Sequence, residues 1–107
     1  MNAVITTHKL DFECCRWPLN PEFMLYRIGT MEGQYFIEGN TINILSFLNT
    51  KPNNGHLEDV FEWFEYSCKT HGLKLRILEV MNARFKEHLI AKRGFVDIGK
   101  DNLEKTF

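Results

Sequence analysis

The hydrophobic pattern changes its period between residues 41 and 57, and this change constrains the fold more than any other feature of the chain. Apolar and polar residues alternate over residues 41–48, which predicts a β-strand that runs on to Lys51. From Leu57 the apolar residues recur every three or four positions, which predicts an amphipathic helix ending near His71. The mostly apolar residues 74–80 predict a second strand. Because strand–helix–strand units cross over right-handed, we expect the two strands to be parallel neighbours.

The polar turn between the first strand and the helix has the composition of a phosphate site. It consists of Pro52, Asn53, Asn54, Gly55 and His56. The first N–H groups of a helix have no partner within it, and the helix dipole adds about half a positive charge there. A nucleotide-like or coenzyme-like ligand is therefore the first hypothesis, although this order of elements does not by itself establish an enzyme. His56 could donate to a phosphate or be a polar turn residue without a ligand.

The residues before this unit predict an antiparallel meander. Residues 24–28, 34–38 and 41–48 read as three strands, with a turn over residues 29–33. Within the third strand the alternation places Ile42, Ile44 and Ser46 on one face, and Asn43, Leu45 and Phe47 on the other. Residues 1–23 are less legible. Residues 3–7 could form a strand, and Asn20-Pro21-Glu22 resembles the start of a short helix.

The residues after the unit predict a second helix and two more extended segments. Asn82 can cap the helix, and Gly94 ends it. Residues 95–98 begin another strand, and residues 102–107 form an edge strand or fray. An antiparallel meander that leads into a parallel pair gives a mixed sheet with helices against it, so the predicted class is α+β or α/β, not a bundle or a sandwich.

Length and charge narrow the class of protein and partner. A chain of 107 residues fits one domain, and its net charge of −1 gives no global field to attract nucleic acid or an anionic membrane. Basic residues in the last third leave nucleic acid as the weakest hypothesis, because neighbouring acids balance them. No signal peptide and no run of ~20 apolar residues is recognisable, so no membrane association is expected.

The cysteines and histidines argue against a disulfide framework and against a metal site. The three cysteines are Cys14, Cys15 and Cys68, with no C-x-x-C spacing, which suits a reducing compartment and predicts a cytoplasmic protein. Buried free thiols explain them better than a redox pair does. The four histidines, His8, His56, His71 and His88, show no metal-type spacing.

Near the C-terminus, the segment Leu78-Glu79-Val80, then Asn82, then Lys92-Arg93-Gly94-Phe95, resembles the GNAT acyltransferase superfamily in residue types and in spacing. The resemblance covers about residues 24–100. It implies that residues 1–107 form a single GNAT-like domain with a mixed sheet. It also implies an N-acetyltransferase that uses acetyl-coenzyme A as co-substrate and transfers the acetyl group to an amine of a small molecule or protein.

The resemblance further implies where the coenzyme would bind. In such enzymes the fourth strand splays from the fifth, and the pantetheine arm lies in the gap against the fourth-strand backbone. The pyrophosphate meets amides of the loop before the helix, where Lys51 could add charge. The residues expected to contact the coenzyme are Phe47, Leu48, Lys51, Asn53, Asn54, Gly55, His56 and Leu57.

Three residues are candidates for catalysis by the same resemblance. Glu79 could act as a base, or could simply pair with Arg76 or Arg84. Asn82 matches a family position near the thioester, although capping the second helix also explains it. His88 could donate a proton, because Ile90 stands where the family often has a tyrosine. Glu38 is a further possible base, with a solvated hairpin carboxylate as the favoured interpretation.

The chain also departs from the family pattern. Only Gly55 is present where the loop usually has two glycines, and residues 8–23 leave little room for the helices that usually shape the acceptor pocket. These departures leave a second hypothesis open, a catalytically degenerate GNAT-fold module that binds a protein partner or a second copy of the chain. Exposure of both Trp63 and Tyr66 would favour such a contact, although a position at the core edge is the favoured interpretation.

Overall fold

The computed structural model describes residues 3–5, 12–20, 22–49 and 57–107. In chain order these residues form β1 (Ala3–Ile5), β2 (Phe12–Arg16), β3 (Met24–Ile28), β4 (Met31–Glu38), β5 (Thr41–Asn49), α1 (Leu57–His71), β6 (Lys74–Ile77), α2 (Ala83–Arg93), β7 (Val96–Gly99) and β8 (Asn102–Lys105). The described strands make one sheet in the order β1-β2-β3-β4-β5-β6-β8-β7, so the fold is α+β with a mixed sheet. Neither described helix is long and apolar enough to span a membrane.

The centre of the sheet follows the predicted pattern. Strands β3, β4 and β5 form the antiparallel meander, and β5 pairs in parallel with β6 from Thr41–Lys74 to Ile44–Ile77. Helix α1 spans the predicted residues, and Gly72 after it has a φ of 67°, a conformation that glycine adopts without strain. Both the meander and the parallel pair are confirmed.

Both helices pack on the same face of the sheet. The ring of Phe47 on β5 lies 5.3 Å from that of Phe61 on α1 and 6.2 Å from that of Phe85 on α2. The predicted stripe of α1 is buried, and four of its residues have no exposed surface, namely Val60, Phe61, Phe64 and Cys68. Burial of this apolar stripe is the main source of helix stability.

The opposite face of the sheet, which we call the open face, is not covered by a helix in the described part of the chain. Side chains alternate along a strand, so the neighbours of the buried Tyr26 on β3 point to the open face. The open-face side chains of β3 and β4 are Leu25, Arg27, Glu32, Gln34 and Phe36. This face is therefore largely polar, with aliphatic and aromatic side chains between the charges.

Two N-terminal predictions are wrong, and one strand was missed. Strand β2 was not predicted, and the described residues near Asn20 form a tight connection between β2 and β3, not a helix start. There Trp17 N–H donates to the carbonyl of Phe23 (2.9 Å) and Asn20 N–H to that of Trp17 (3.2 Å). The turn after β3 uses only Gly29 and Thr30, because Gly29 adopts a φ of 58° and reverses the chain within two residues.

Three C-terminal predictions also need correction. Strand β6 ends at Ile77 rather than at residue 80, for reasons that lie in the candidate site below. Strand β8 lies between β6 and β7 and is not an edge strand, and its Leu103 is fully buried. Strand β7 begins one residue later than predicted. Lys51 and the turn over residues 52–56 lie outside the described residues, as do residues 6–7.

We expect Phe61→Ala to lower the free energy of unfolding by about 3–5 kcal/mol, the usual effect of truncating a buried phenylalanine. The Phe61 side chain has no exposed surface and contacts the rings of Phe47, Phe85 and Phe95. Tyr66→Ala on the same helix is the control, because Tyr66 is 53% exposed and its loss should change stability by no more than about 0.5 kcal/mol. Urea denaturation followed by circular dichroism measures both. Equal effects would contradict the described core.

Candidate functional site

The two parallel strands separate after four paired residues. The ladder ends at Ile44 and Ile77, and its last hydrogen bond joins Leu78 N–H to the Ile44 carbonyl at 3.0 Å. Strand β5 continues to Asn49 against β4, whereas the chain leaves the sheet after Ile77. The gap is a cleft of about 300 Å³ between residues 45–47 and residues 77–82.

A β-bulge on β5 turns that strand away from β6. Tyr35 of β4 pairs with Ile44 and Gln34 pairs with Ser46, so Leu45 is an extra residue without a partner on β4. A bulge bends its strand and increases the local twist. The bulge lies immediately after the last residue that pairs with β6. The separation therefore begins at the position where β5 bends.

The bulge also reverses which side chains face the helices. Up to Ile44 the predicted alternation is correct, since Ile42 and Ile44 are buried under the helices. The extra residue then puts Phe47 on the helix-covered face, where it packs against α1, and Ser46 on the open face, in register with Gln34. The predicted grouping of Ser46 with Ile42 and Ile44 is wrong for this reason.

Hydrogen bonds to the end of the β7–β8 turn and to the start of β8 hold the other wall of the cleft. The N–H of Glu79 donates to the side-chain oxygen Oδ1 of Asn102 at 2.9 Å, and the N–H of Val80 donates to the carbonyl of Asp101 at 2.6 Å. Glu79 has a φ of 56°, a left-handed conformation that is uncommon for residues other than glycine. These bonds direct the chain toward β8, and they explain why β6 stops three residues earlier than its apolar pattern predicted.

Aromatic side chains form the base of the cleft. The rings of Phe47 and Phe85 both line it, 6.2 Å apart, and each lies close to Phe61 beneath them. Residues 45–47 form one wall and residues 77–82 the other. No described strand pairs with this side of β5 beyond Ile44, so its backbone donors and acceptors face the cleft there. A cleft with an apolar base and such a strand edge suits a ligand that carries amide or ester groups.

A larger cavity of about 480 Å³ lies on the open face. Its open-face lining comes from four neighbouring strands and consists of Glu13, Cys15, Leu25, Arg27, Glu32, Gln34, Ser46 and Leu48. Ser46 lines this cavity and the cleft, so the two meet at that residue. The sequence did not reveal the cavity, because β2 was not predicted and the bulge that turns Ser46 outward has no local signal.

Two of the predicted catalytic residues lie together in the cleft. Glu79 is exposed there and forms no ion pair within the described part of the chain. Arg76, one of the two cations expected to pair with it, binds Glu104 instead at 3.1 Å. Asn82 lines the same cleft, and its Oδ1 accepts a hydrogen bond from the N–H of Phe85 at 2.9 Å. The predicted capping role of Asn82 is thus confirmed.

The other two titratable candidates lie elsewhere. His88 is not part of the cleft lining, and its Nε2 lies 3.6 Å from Oε1 of Glu58 in the first turn of α1. Glu38 ends β4 and pairs with Thr41 at the start of β5, at the opposite end of that strand from the cleft. The structure therefore brings only Glu79 and Asn82 together.

The residues expected to contact the coenzyme divide into four groups. Phe47 lines the cleft, whereas Leu48 lines the open-face cavity and is 57% exposed. Leu57 begins α1 and packs partly buried against the core. The remaining five lie outside the described residues, namely Lys51, Asn53, Asn54, Gly55 and His56.

No protein-family model, curated protein or solved structure matches this chain. Within the described residues, no group of three or more His, Cys, Asp or Glu side chains is arranged to hold a metal ion. A functional proposal for this chain therefore rests on the geometry of the cleft and the open-face cavity.

We expect Asn82→Ala to lower the free energy of unfolding by about 1 kcal/mol, because it removes the hydrogen bond that caps α2. Asn82→Asp keeps an acceptor oxygen at the cap and should retain the stability of the original protein. Urea denaturation of the three proteins measures the difference. An alanine variant as stable as the original would show that the cap contributes nothing.

Proposed function

We propose that this chain is a small GNAT-like N-acetyltransferase that binds acetyl-coenzyme A between β5 and β6 and transfers the acetyl group to an amine. The observation that carries the proposal is the separation of these strands directly after Ile44 and Ile77. Beyond that point β5 has an edge that no strand covers in the described part of the chain. A pantetheine arm carries amide groups and can bind such an edge as an added strand does.

The open-face cavity is the proposed place of the acceptor. It meets the cleft at Ser46, so an acceptor held there would lie next to the proposed position of the thioester. Glu13 and Glu32 flank Arg27 on neighbouring strands, which gives these three side chains together one excess negative charge at neutral pH. A negative surface favours an amine, which reaches the site largely as an ammonium ion.

Glu79 is the proposed general base. Glu79 lines the cleft and has no ion-pair partner among the described residues, so its carboxylate is available to accept a proton from the ammonium ion, directly or through a water molecule. The amine nitrogen then forms a bond to the acetyl carbon and the carbon–sulfur bond breaks. The nitrogen gives up its second proton to water and the departing thiolate takes one from water, so that an amide and a free thiol result. Backbone amides of β5 would hold the acetyl-bearing arm during this exchange.

The coenzyme is tested by a thermal titration. We expect acetyl-coenzyme A at about a hundred times its Kd to raise Tm by roughly 10 °C through mass action. S-acetylpantetheine, which lacks the nucleotide, should give a smaller rise by itself, since the described cleft would hold only the arm. No change of Tm at millimolar acetyl-coenzyme A would contradict coenzyme binding.

The base is tested by Glu79→Gln, which keeps the shape of the side chain but cannot accept the proton. We expect kcat for acetyl transfer to a panel of primary amines to fall by about 10²-fold or more, with little change in the Kd for acetyl-coenzyme A. Glu38→Gln is the matched control, because Glu38 is also an exposed carboxylate but lies at the far end of β5. Mass spectrometry of the acetylated amine measures the rate. Equal rates in the two variants would exclude Glu79 as the base.

A second candidate function is a catalytically degenerate module that docks a protein. Its support is the apolar part of the open face, where the ring of Phe23 lies 6.3 Å from that of Trp17 and 5.5 Å from that of Phe36. Leu19, in the connection between β2 and β3, is also exposed. The helix surface does not add to it, because Trp63 is buried and only Tyr66 is exposed. If acetyl-coenzyme A does not change Tm and the molecular mass in solution rises with protein concentration, the chain would be favoured as a module that binds a second copy of itself.

A further inference from the structure

The side chain of Tyr26 extends across the helix-covered face of the sheet, from β3 over β4 to β5. Tyr26 lies on β3, is only 2% exposed, and packs edge-on against Phe64 of α1 with the ring centroids 5.2 Å apart. Its hydroxyl reaches past β4 and donates a hydrogen bond to the backbone carbonyl of Ser46 on β5 at 2.9 Å. The acceptor belongs to the residue directly after the bulge, where the cleft and the open-face cavity meet.

Gly33 makes this contact possible. It lies on β4 between the two partners, in register with Tyr26 on one side and with Phe47 on the other. A Cβ atom at this position would lie 2.0 Å from the Ser46 carbonyl oxygen and 2.8 Å from the Tyr26 hydroxyl. Real Cβ atoms do not approach so closely, so any other residue here would displace the carbonyl, the hydroxyl or both.

The hydrogen bond fixes the direction of the next backbone amide. None of the described peptide bonds is cis, and in a planar trans peptide the C=O and N–H groups point in opposite directions. The carbonyl of Ser46 points toward β4, where it meets Gly33 and the Tyr26 hydroxyl. The N–H of Phe47, in the same peptide, therefore points away from β4, toward the side of β5 that β6 has left.

We infer that Tyr26 is a positioning residue, which fixes the Ser46–Phe47 peptide so that the Phe47 N–H is presented to a carbonyl oxygen of the ligand in the cleft. This inference rests on the proposed function for the nature of the ligand, an acyl thioester with an amide-bearing arm. Tyr26 is not among the residues that line the cleft, so it does not contact a ligand held there. Its effect passes through one rigid peptide unit.

Burial keeps the Tyr26 hydroxyl in its donating form. Loss of water around the ring raises the pKa of Tyr26 well above its ordinary value of 10.0, so the group stays protonated over the working pH range. The hydroxyl of Tyr35 is similarly buried, and its pKa is also raised by burial and by its hydrogen-bonded neighbour Cys14. Tyr35 also packs against Phe64, at 5.3 Å, so the two tyrosines share an environment but not the Ser46 carbonyl.

The test compares Tyr26→Phe with Tyr35→Phe. Each variant removes one buried hydroxyl and keeps its ring, so a general loss of packing should affect both to a similar degree. Nuclear magnetic resonance of the protein without ligand should show displaced signals of the Ser46 carbonyl carbon and the Phe47 amide in Tyr26→Phe only. The Kd for acetyl-coenzyme A should rise about tenfold in Tyr26→Phe and less than about twofold in Tyr35→Phe.

Gly33→Ala provides a second route to the same contact. The added methyl group displaces the Ser46 carbonyl, the Tyr26 hydroxyl or both without removing the hydroxyl, so it should weaken coenzyme binding about as much as Tyr26→Phe does. If both changes act through one hydrogen bond, the double variant should bind about as well as the weaker single variant, because their effects are not additive. Additive losses would overturn a shared mechanism.

The outcomes separate this inference from the proposed function. Unmoved Ser46 and Phe47 signals in Tyr26→Phe would overturn the inference, as would moved signals with an unchanged Kd. An original protein that binds no acetyl-coenzyme A would overturn the proposed function and, with it, the assigned ligand. The comparison of the Ser46 and Phe47 signals would then still test whether Tyr26 fixes the Ser46–Phe47 peptide, because it requires no ligand.

Discussion

A β-strand can use the backbone groups of each edge only once, and this structure depends on how the two edges of β5 are used. One edge pairs with β4 along the strand apart from the bulged Leu45, whereas the other pairs with β6 for four residues. The amides that could lengthen the second ladder are engaged elsewhere, since Glu79 and Val80 donate to Asn102 and Asp101. Buried backbone groups are rarely left without partners, so each wall keeps its own bonds. The cleft therefore persists without a ligand to hold it apart.

The two faces of the sheet have different roles. On the helix-covered face, Arg93 of α2 donates to Glu65 of α1 at 2.9 Å and also to Glu58, and Lys105 of β8 reaches Glu65 at 3.1 Å. Glu65 and Arg93 are mostly shielded from water, so these ion pairs are screened less than pairs at the surface. Together with the phenylalanine rings, they join both helices to the sheet. The open face carries the polar cavity.

The sequence predicted the elements whose formation depends on residues close together in the chain. Helix α1 follows from its apolar stripe, and α2 follows from the cap at Asn82 and the stop at Gly94, whose φ is 77°. Strand β6 was predicted too long because Leu78 and Val80 fit a strand pattern, while distant hydrogen bonds decide where the strand ends. The candidate site was only partly predictable for the same reason. Glu79 and Asn82 could be predicted as candidates because they belong to a local sequence motif. The bulge and the open-face cavity could not, because they depend on how separate strands pair with one another.

Under the proposed function, the acceptor would meet a surface made of strands rather than loops. Glu13, Arg27 and Glu32 are cross-strand neighbours, and Arg27 lies 3.4 Å from Glu32. Directly opposite side chains on paired strands are held about 5 Å apart, so the register fixes this charge pattern. No helix covers this surface in the described part of the chain, so selection between an amine and water would there depend on nucleophilicity and not on the exclusion of water. Only the unprotonated amine is a strong nucleophile, so transfer depends on removal of its proton. The side chain of Asn102 accepts a hydrogen bond from the backbone N–H of Glu79 beside the cleft. This bond holds the backbone from which the proposed base extends.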